Sequence, residues 1–188
     1  VVHYLDMPIQ HINDDILKRM GRRTSGAELA DKIELLRSEI PDICLRTTLI
    51  CGFPGETPQA HEELLEFLNW AEFDRLGAFT YSPEENTPAA SFEGQLDEET
   101  KLTWRDEVME LQQEISYDRN ESMKGCELWA FVEGKVADEN AYVARTYKDA
   151  PGVDGYIFIH TDAELMSGDF VKVRVTGALD YDLIGEMI

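Results

Sequence analysis

The loop Gly52-Phe-Pro-Gly-Glu56 is the segment whose residue types and spacing most suggest chemistry. It joins a predicted strand to a predicted helix, and free N–H groups with the positive end of a helix dipole can accept polar ligands there. Glycine lets the backbone approach a ligand closely, although a Gly-Pro-Gly sequence also occurs in ordinary tight turns. We interpret this loop as a candidate cofactor rim.

Three further residues are candidates for the same site. Gln10 and His11 follow the carboxyl end of a predicted strand, which is the face where α/β barrels carry out their chemistry. The alternative for His11 is a solvated side chain. Arg46 shares a strand face with Thr48 and Ile50 because side chains alternate along a strand. If that face lines a barrel interior, Arg46 meets either an anionic ligand or a carboxylate at the rim.

The cysteines and histidines do not form a recognisable metal-binding pattern. The three cysteines, Cys44, Cys51 and Cys126, give no disulfide framework, which favours a reducing compartment. Cys44 and Cys51 are separated by an odd number of residues in one predicted strand, so their thiols point to opposite faces. The four histidines also lack the spacing of a zinc site.

Strands and helices alternate through the first two thirds of the chain. The predicted strands are 1–6, 43–51 and 75–81, and the predicted helices follow the caps Asn13, Ser25, Thr57 and Asp97. Such alternation predicts βα units around a parallel sheet, which we interpret as part of a TIM-like βα barrel. Three units do not close a barrel, so we expect neighbours of the first strand to lie outside this chain.

The pattern changes after Gly125. Five short segments with alternating polarity follow, at 126–133, 141–147, 155–160, 169–176 and 179–186. They predict a small all-β barrel of the OB-like kind. The fold class is therefore α/β followed by all-β, with predicted domains at 1–124 and 125–188.

Charge restricts the possible partners. The 188 residues carry a net charge of -21, which opposes polyanions, because nucleic-acid binding draws much of its affinity from Lys and Arg. The simpler alternative is that acidity only keeps the protein soluble. No apolar run approaches the roughly 20 residues that span a bilayer, and no export signal is visible. We expect a cytoplasmic protein with no membrane contact.

Six segments carry a family resemblance: 4–11 (YLDMPIQH), 18–22 (KRMGR), 46–57 (RTTLICGFPGET), 79–86 (FTYSPEEN), 142–155 (YVARTYKDAPGVDG) and 177–186 (GALDYDLIGE). The first four resemble the second half of the barrel of the radical S-adenosylmethionine (SAM) methylthiotransferases. The last two resemble that family's terminal TRAM barrel. Their residues are closer to the branch that modifies a ribosomal protein than to the branch that modifies tRNA.

The resemblance implies a reaction and its cofactors. A reduced [4Fe–4S] cluster would cleave SAM, and a methylthio group would be added to the β-carbon of an aspartate in a basic small-subunit ribosomal protein. The alternatives are a tRNA methylthiotransferase and a non-catalytic binding module. Residues 125–188 hold five basic and twelve acidic side chains, a net charge of -7, which favours a basic protein over nucleic acid as the direct substrate.

The resemblance also suggests cofactor-binding positions, while the catalytic residues stay unassigned. These positions are Gln10, His11, Arg46, Ile50, Gly52, Gly55 and Glu56. The sequence contains no Cys-x3-Cys-x2-Cys motif, so the family's cluster ligands are absent from this chain. We therefore expect no metal site in this chain and no activity from the chain alone.

Overall fold

The computed structural model describes residues 1–137 and 139–188. It contains two compact units. One is formed by Leu5–Gln112 and the other by Val1–Tyr4 together with Gln113–Ile188. No helix in the described residues is both long and apolar enough to cross a bilayer.

The first part of the chain alternates strands and helices as predicted. The elements are β1 (Tyr4–Asp6), α1 (Asp14–Arg19), α2 (Gly26–Glu39), β2 (Cys44–Cys51), α3 (Pro58–Ala71), β3 (Arg75–Thr80), a 3-10 turn (Pro88–Ser91) and the long helix α4 (Glu98–Ser122).

The predicted helix starts are confirmed, because each is fixed by a side-chain cap. The Asn13 carboxamide oxygen accepts N–H groups from Asp15 and Ile16 at the start of α1. Ser25 and Glu28 form a reciprocal capping box at the start of α2. The Thr57 hydroxyl accepts the N–H of Ala60 at the start of α3.

The three strands form one sheet in the order β1-β2-β3. β2 and β3 are parallel, with Arg46 opposite Arg75 and Cys51 opposite Thr80. Burial alternates along β2 as the sequence predicts. Leu45, Thr47 and Leu49 are fully buried, whereas the opposite face, which carries Ile50, is only partly covered.

The core of this unit lies between the buried face of the sheet and its helices. Its most buried side chains are Ile9, Leu17, Ile33, Leu45, Leu49, Leu64, Leu68, Phe73 and Val108. The covered face therefore carries the apolar core, and the opposite face of β2 carries the partly exposed Arg46, Thr48 and Ile50.

The second unit contains a closed five-stranded barrel. Its strands are β4 (Glu127–Lys135), β5 (Ala141–Arg145), β6 (Ile157–His160), β7 (Phe170–Ala178) and β8 (Leu183–Met187). The order around the barrel is β4-β5-β6-β8-β7, and β6 with β8 is the parallel pair. Ala130, Ile157, Ile159, Val173 and Val175 are among the side chains that fill its interior. The α/β plus small β-barrel fold class is confirmed.

Candidate cofactor site

Two overlapping cavities open at the carboxyl ends of β2 and β3. Their volumes are about 490 Å³ and 390 Å³. Five residues line both cavities: Gln10, Ile50, Phe53, Thr87 and Ala89. The structure thus brings the predicted Gln10 and Ile50 together on one open pocket, from segments 40 residues apart in sequence.

Gln10 is held at the pocket by its backbone. Its N–H donates to the carbonyl of Thr48, and its carbonyl accepts the N–H of Ile50. Its φ of 71° lies in the left-handed region, which few non-glycine residues adopt. The two hydrogen bonds fix this conformation and attach the β1–α1 loop to β2.

Aromatic side chains form the pocket wall. The Phe53 ring packs edge-on against Tyr81, with centroids 5.1 Å apart, and against Phe92 at 6.4 Å. Phe79, which pairs with Ile50 across the two strands, is 60% exposed and also lines the smaller cavity. We did not predict these four residues as site residues, although Phe53, Phe79 and Tyr81 lie inside the segments that carry the resemblance.

Glu56 turns away from the open pocket. It is 5% exposed and lines neither of the two cavities. One carboxylate oxygen, Oε2, accepts the N–H of Gly52 at 2.6 Å and that of Phe53 at 3.1 Å. The geometry therefore supports a role for Glu56 in holding the loop, and direct contact with a cofactor stays a prediction that this geometry does not favour.

His11 lies behind the same loop. It is fully buried, so the alternative of a solvated side chain is wrong. Its Nδ1 accepts the N–H of Asn13 at 3.0 Å, and its Nε2 lies 3.2 Å from Oε1 of Glu56. His11 is thus a polar neighbour of the buried Glu56 carboxylate, and a buried charge needs such neighbours.

The two loop glycines both have left-handed φ, 77° at Gly52 and 89° at Gly55. A Cβ on Gly52 would overlap the aliphatic stem of Lys101. A Cβ on Gly55 would lie 2.9 Å from the guanidinium carbon of Arg19, whose Nε donates to the carbonyl of Pro54. The space beside each glycine is thus filled by the protein itself, and Gly55 lines a separate cavity beside α1.

Arg46 meets a carboxylate of this chain. Its Nη1 lies 2.8 Å from Oδ2 of Asp6 and 3.5 Å from the hydroxyl of Thr48. Of the two alternatives that the sequence left open, the structure shows the ion pair with a carboxylate at the rim.

The thiols of β2 are buried, as expected for inert cysteines. Burial, with a smaller contribution from the nearby Glu56 charge, raises the pKa of Cys51 to about 12. Cys44 is likewise buried, and Cys126 is exposed. Within residues 1–137 and 139–188, no group of three His, Cys, Asp or Glu side chains is placed to hold a metal ion.

Comparison with known proteins identifies both parts of the chain. The model of the radical SAM superfamily matches residues 1–68, and that of the TRAM domain matches residues 125–188. The ribosomal protein uS12 methylthiotransferase RimO of Lachnoclostridium phytofermentans is 57% identical over 98% of this chain and 42% of its own length. The RimO of Carboxydothermus hydrogenoformans is 46% identical over 100% of this chain and 43% of its own length.

A solved structure supports the fold of the first unit. Escherichia coli coproporphyrinogen III oxidase (HemN), a radical SAM enzyme, aligns with a TM-score of 0.52 over 61% of this chain and 27% of its own length, at 21% identity. The chain spans about two fifths of the length of the curated relatives it matches. It therefore belongs to the RimO-like family of radical SAM proteins, with part of the radical SAM domain followed by a TRAM domain.

Proposed function

We propose that the protein containing this chain adds a methylthio group to the β-carbon of an aspartate in a basic small-subunit ribosomal protein. Its relatives are named as methylthiotransferases of ribosomal protein uS12. The observation that carries the proposal is the match to these relatives over 98–100% of the chain, at 57% and 46% identity. In this proposal residues 1–124 contribute to the SAM pocket and residues 125–188 recognise the substrate.

The residues of the open pocket fit SAM. Ile50 and Phe53 offer apolar surfaces to a nucleoside, and the Gln10 amide offers hydrogen bonds to its polar edges. The Thr87 hydroxyl, which donates to the carbonyl of Glu84, can still accept a hydrogen bond. With the reduced cluster, bound SAM would supply the radical that removes hydrogen from an unactivated carbon. The chain's own residues would bind and orient the cofactor and keep water from its apolar faces.

The side chains described here do not fit the [4Fe–4S] cluster. Two thiols are buried on β2 and the third is exposed at position 126. The Cys-x3-Cys-x2-Cys pattern of the family is also absent from the sequence. Ligands for the cluster would therefore come from the part of the relatives that this chain does not span.

The barrel offers a surface for the substrate. Trp129 and Phe170 are 61% and 67% exposed, and Phe170 packs edge-on against Phe131 of the neighbouring strand. Basic side chains on the same outer face are already paired, as Lys172 is with Glu127 at 2.6 Å. Exposed aromatic rings suit a basic protein segment, because cations bind ring faces.

The test is methylthiolation by the full-length protein that contains this chain. After anaerobic reconstitution of its clusters, it would be incubated with SAM, a sulfide source and either uS12 or tRNA. We expect mass spectrometry to show a methylthio group on one aspartate of uS12. The same group on an adenosine of tRNA, with uS12 unmodified, would contradict the proposal and favour the tRNA branch.

A second measurement tests the binding-module alternative. If uS12 binds but stays unmodified and SAM is not cleaved, the protein recognises the substrate without catalysing a reaction on it. A catalytic protein is expected to show SAM cleavage that depends on uS12 and a product in matching amount. The two results separate recognition from transfer.

A further inference from the structure

Three buried polar atoms meet behind the pocket loop: Nε2 of His11, Oε1 of Glu56 and Nδ1 of His61. The carboxylate oxygen lies 3.2 Å from the first nitrogen and 3.8 Å from the second. None of the three atoms has an aligned hydrogen bond within the described part of the chain. Because a buried polar group without a partner is destabilised, the placement of these three atoms against one another calls for a role.

The proton of His11 can be assigned from its other nitrogen. Its Nδ1 accepts the backbone N–H of Asn13 and therefore carries a lone pair. A neutral imidazole then holds its proton on Nε2, which faces the Glu56 carboxylate. His11 thus presents an N–H donor to Glu56.

His61 lies between two carboxylates. Its Nε2 is 2.8 Å from Oε2 of Glu107, and its ring stacks on Trp104 with centroids 4.8 Å apart and planes 8° apart. A carboxylate only accepts hydrogen bonds, so Nε2 carries a proton. A lone pair on Nδ1 would face a second carboxylate, that of Glu56, whereas an N–H there would be attracted to it.

The nearby cations are committed to other carboxylates. Lys101, which packs beside Gly52, pairs with Glu98 at 2.7 Å. Arg105, whose positive charge acts to lower the pKa of Cys51, pairs with the adjacent Asp106. The Glu56 carboxylate therefore has the backbone N–H groups of Gly52 and Phe53 on Oε2, and the two histidine rings beside Oε1.

We propose that His11 and His61 are positioning residues that act on the cofactor pocket through Glu56. The two ring nitrogens face Oε1 and so orient the carboxylate, whose Oε2 accepts the N–H groups of Gly52 and Phe53. Phe53 in turn lines both cavities. The expected effect of the two histidines on SAM binding rests on the proposed function, whereas their expected effect on the loop does not.

Paired substitutions at the two histidines distinguish this role from simple packing. The amide nitrogen of Asn is as many bonds from Cα as Nδ1 of His, and that of Gln is as many as Nε2. At position 61, His61→Asn therefore keeps the donor toward Glu56 and His61→Gln loses it. At position 11 the order reverses, because the donor is Nε2: His11→Gln keeps it and His11→Asn loses it.

The first readout is the rate of hydrogen exchange at the backbone amides of Gly52 and Phe53, measured by NMR on this chain. We expect His61→Gln and His11→Asn to speed exchange at both amides by about tenfold or more, since a charge-assisted hydrogen bond is weakened. His61→Asn and His11→Gln should stay near the unsubstituted rates. His160, an exposed histidine of the barrel, supplies the control pair His160→Asn and His160→Gln.

The second readout is SAM affinity, measured by anaerobic calorimetry on the cluster-loaded full-length protein. We expect the same crossed order, with affinity about tenfold lower in the two donor-losing variants. Equal effects of Asn and Gln at both positions on amide exchange would overturn the positioning role, whether or not the variants lose stability. Crossed amide exchange with unchanged SAM affinity would support the network and contradict the assignment of the pocket to SAM.

Discussion

The residues that hold the pocket loop do not line the open cavities. Glu56 and His11 lie behind the loop, while Gln10, Ile50 and Phe53 line the open cavities. This separation has a physical reason. A charged carboxylate inside the protein must be satisfied by backbone N–H groups and polar side chains, and such an arrangement fixes a loop better than it binds a soluble ligand.

Burial at residue scale also predicts thiol reactivity. The pKa of Cys51 is raised from its ordinary value of 9.0 to about 12, mainly by burial, so its reactive thiolate is nearly absent at pH 8. Cys44 is buried, and Cys126 is exposed. We expect a thiol reagent such as Ellman's reagent to modify one cysteine of the folded chain at pH 8 and three in denaturant.

The variant Cys126→Ser is the control for this experiment and should abolish the fast reaction. Rapid modification of Cys51 or Cys44 in the folded Cys126→Ser variant would contradict the burial of β2. Raising the pH from about 9 toward 12 should also lower stability, because the unfolded state loses the Cys51 proton that the folded state retains.

At the scale of elements, short polar caps determine where the βα units begin. Asn13, Ser25 and Thr57 each satisfy backbone N–H groups that a helix start leaves unpaired. These caps lie directly before the helices that cover the sheet. They therefore set the length of each loop at the edge where the pocket opens.

The capping box of α2 gives a measurable stability effect. Ser25→Ala removes the hydroxyl that accepts the N–H of Glu28, and we expect a loss of about 1 kcal/mol. Ser38→Ala, in the last turn of the same helix, removes only a local bond to the carbonyl of Leu35 and should cost less. Urea unfolding of both variants tests this, and equal losses would argue against the cap as the source of the effect.

Local patterns allowed much of the first unit to be predicted from sequence. Alternation along β2 placed Ile50 opposite Leu45 and Leu49, and the caps marked the helix starts, because both signals depend on neighbouring residues. The meeting of Glu56 with His11 and His61 could not be predicted. It depends on how α1 and α3 pack beside β2, which no local periodicity encodes.

The choice of Arg46 partner was also undetermined by sequence. The strand face of Arg46 was predicted correctly, but a cofactor carboxylate and a protein carboxylate satisfy a guanidinium equally well. The pairing of β1 with β2 is what brings Oδ2 of Asp6 to 2.8 Å from Nη1 of Arg46. The five barrel segments were predicted, whereas the order β4-β5-β6-β8-β7 required the structure.

At the scale of the whole chain, the net charge of -21 should govern association with the basic substrate proposed above. Changing Glu139, Asp162 and Glu164 to Lys would move the net charge of residues 125–188 from -7 to -1. All three side chains are exposed, so folding should be little affected. We expect the association rate with uS12 to fall at low salt, and the difference to shrink as ionic strength rises.

A matched variant separates barrel charge from total charge in this measurement. Asp31, Glu34 and Glu39 are exposed on or at the end of α2, and changing them to Lys alters the total charge equally. We expect this variant to retain more of the association rate, measured by stopped-flow fluorescence on the full-length protein. Equal losses in both variants would show that the barrel has no special part in recognition.

The parallel pairing of β6 with β8 has a consequence for folding during synthesis. β8 is the last of the five barrel strands in the sequence, yet it lies between β6 and β7 and pairs with both. Until residues 183–187 leave the ribosome, β6 and β7 each present an open strand edge, which can pair with other chains. The barrel therefore closes in a single late step, and a stalled or shortened translation product that lacks β8 is expected to be prone to aggregation.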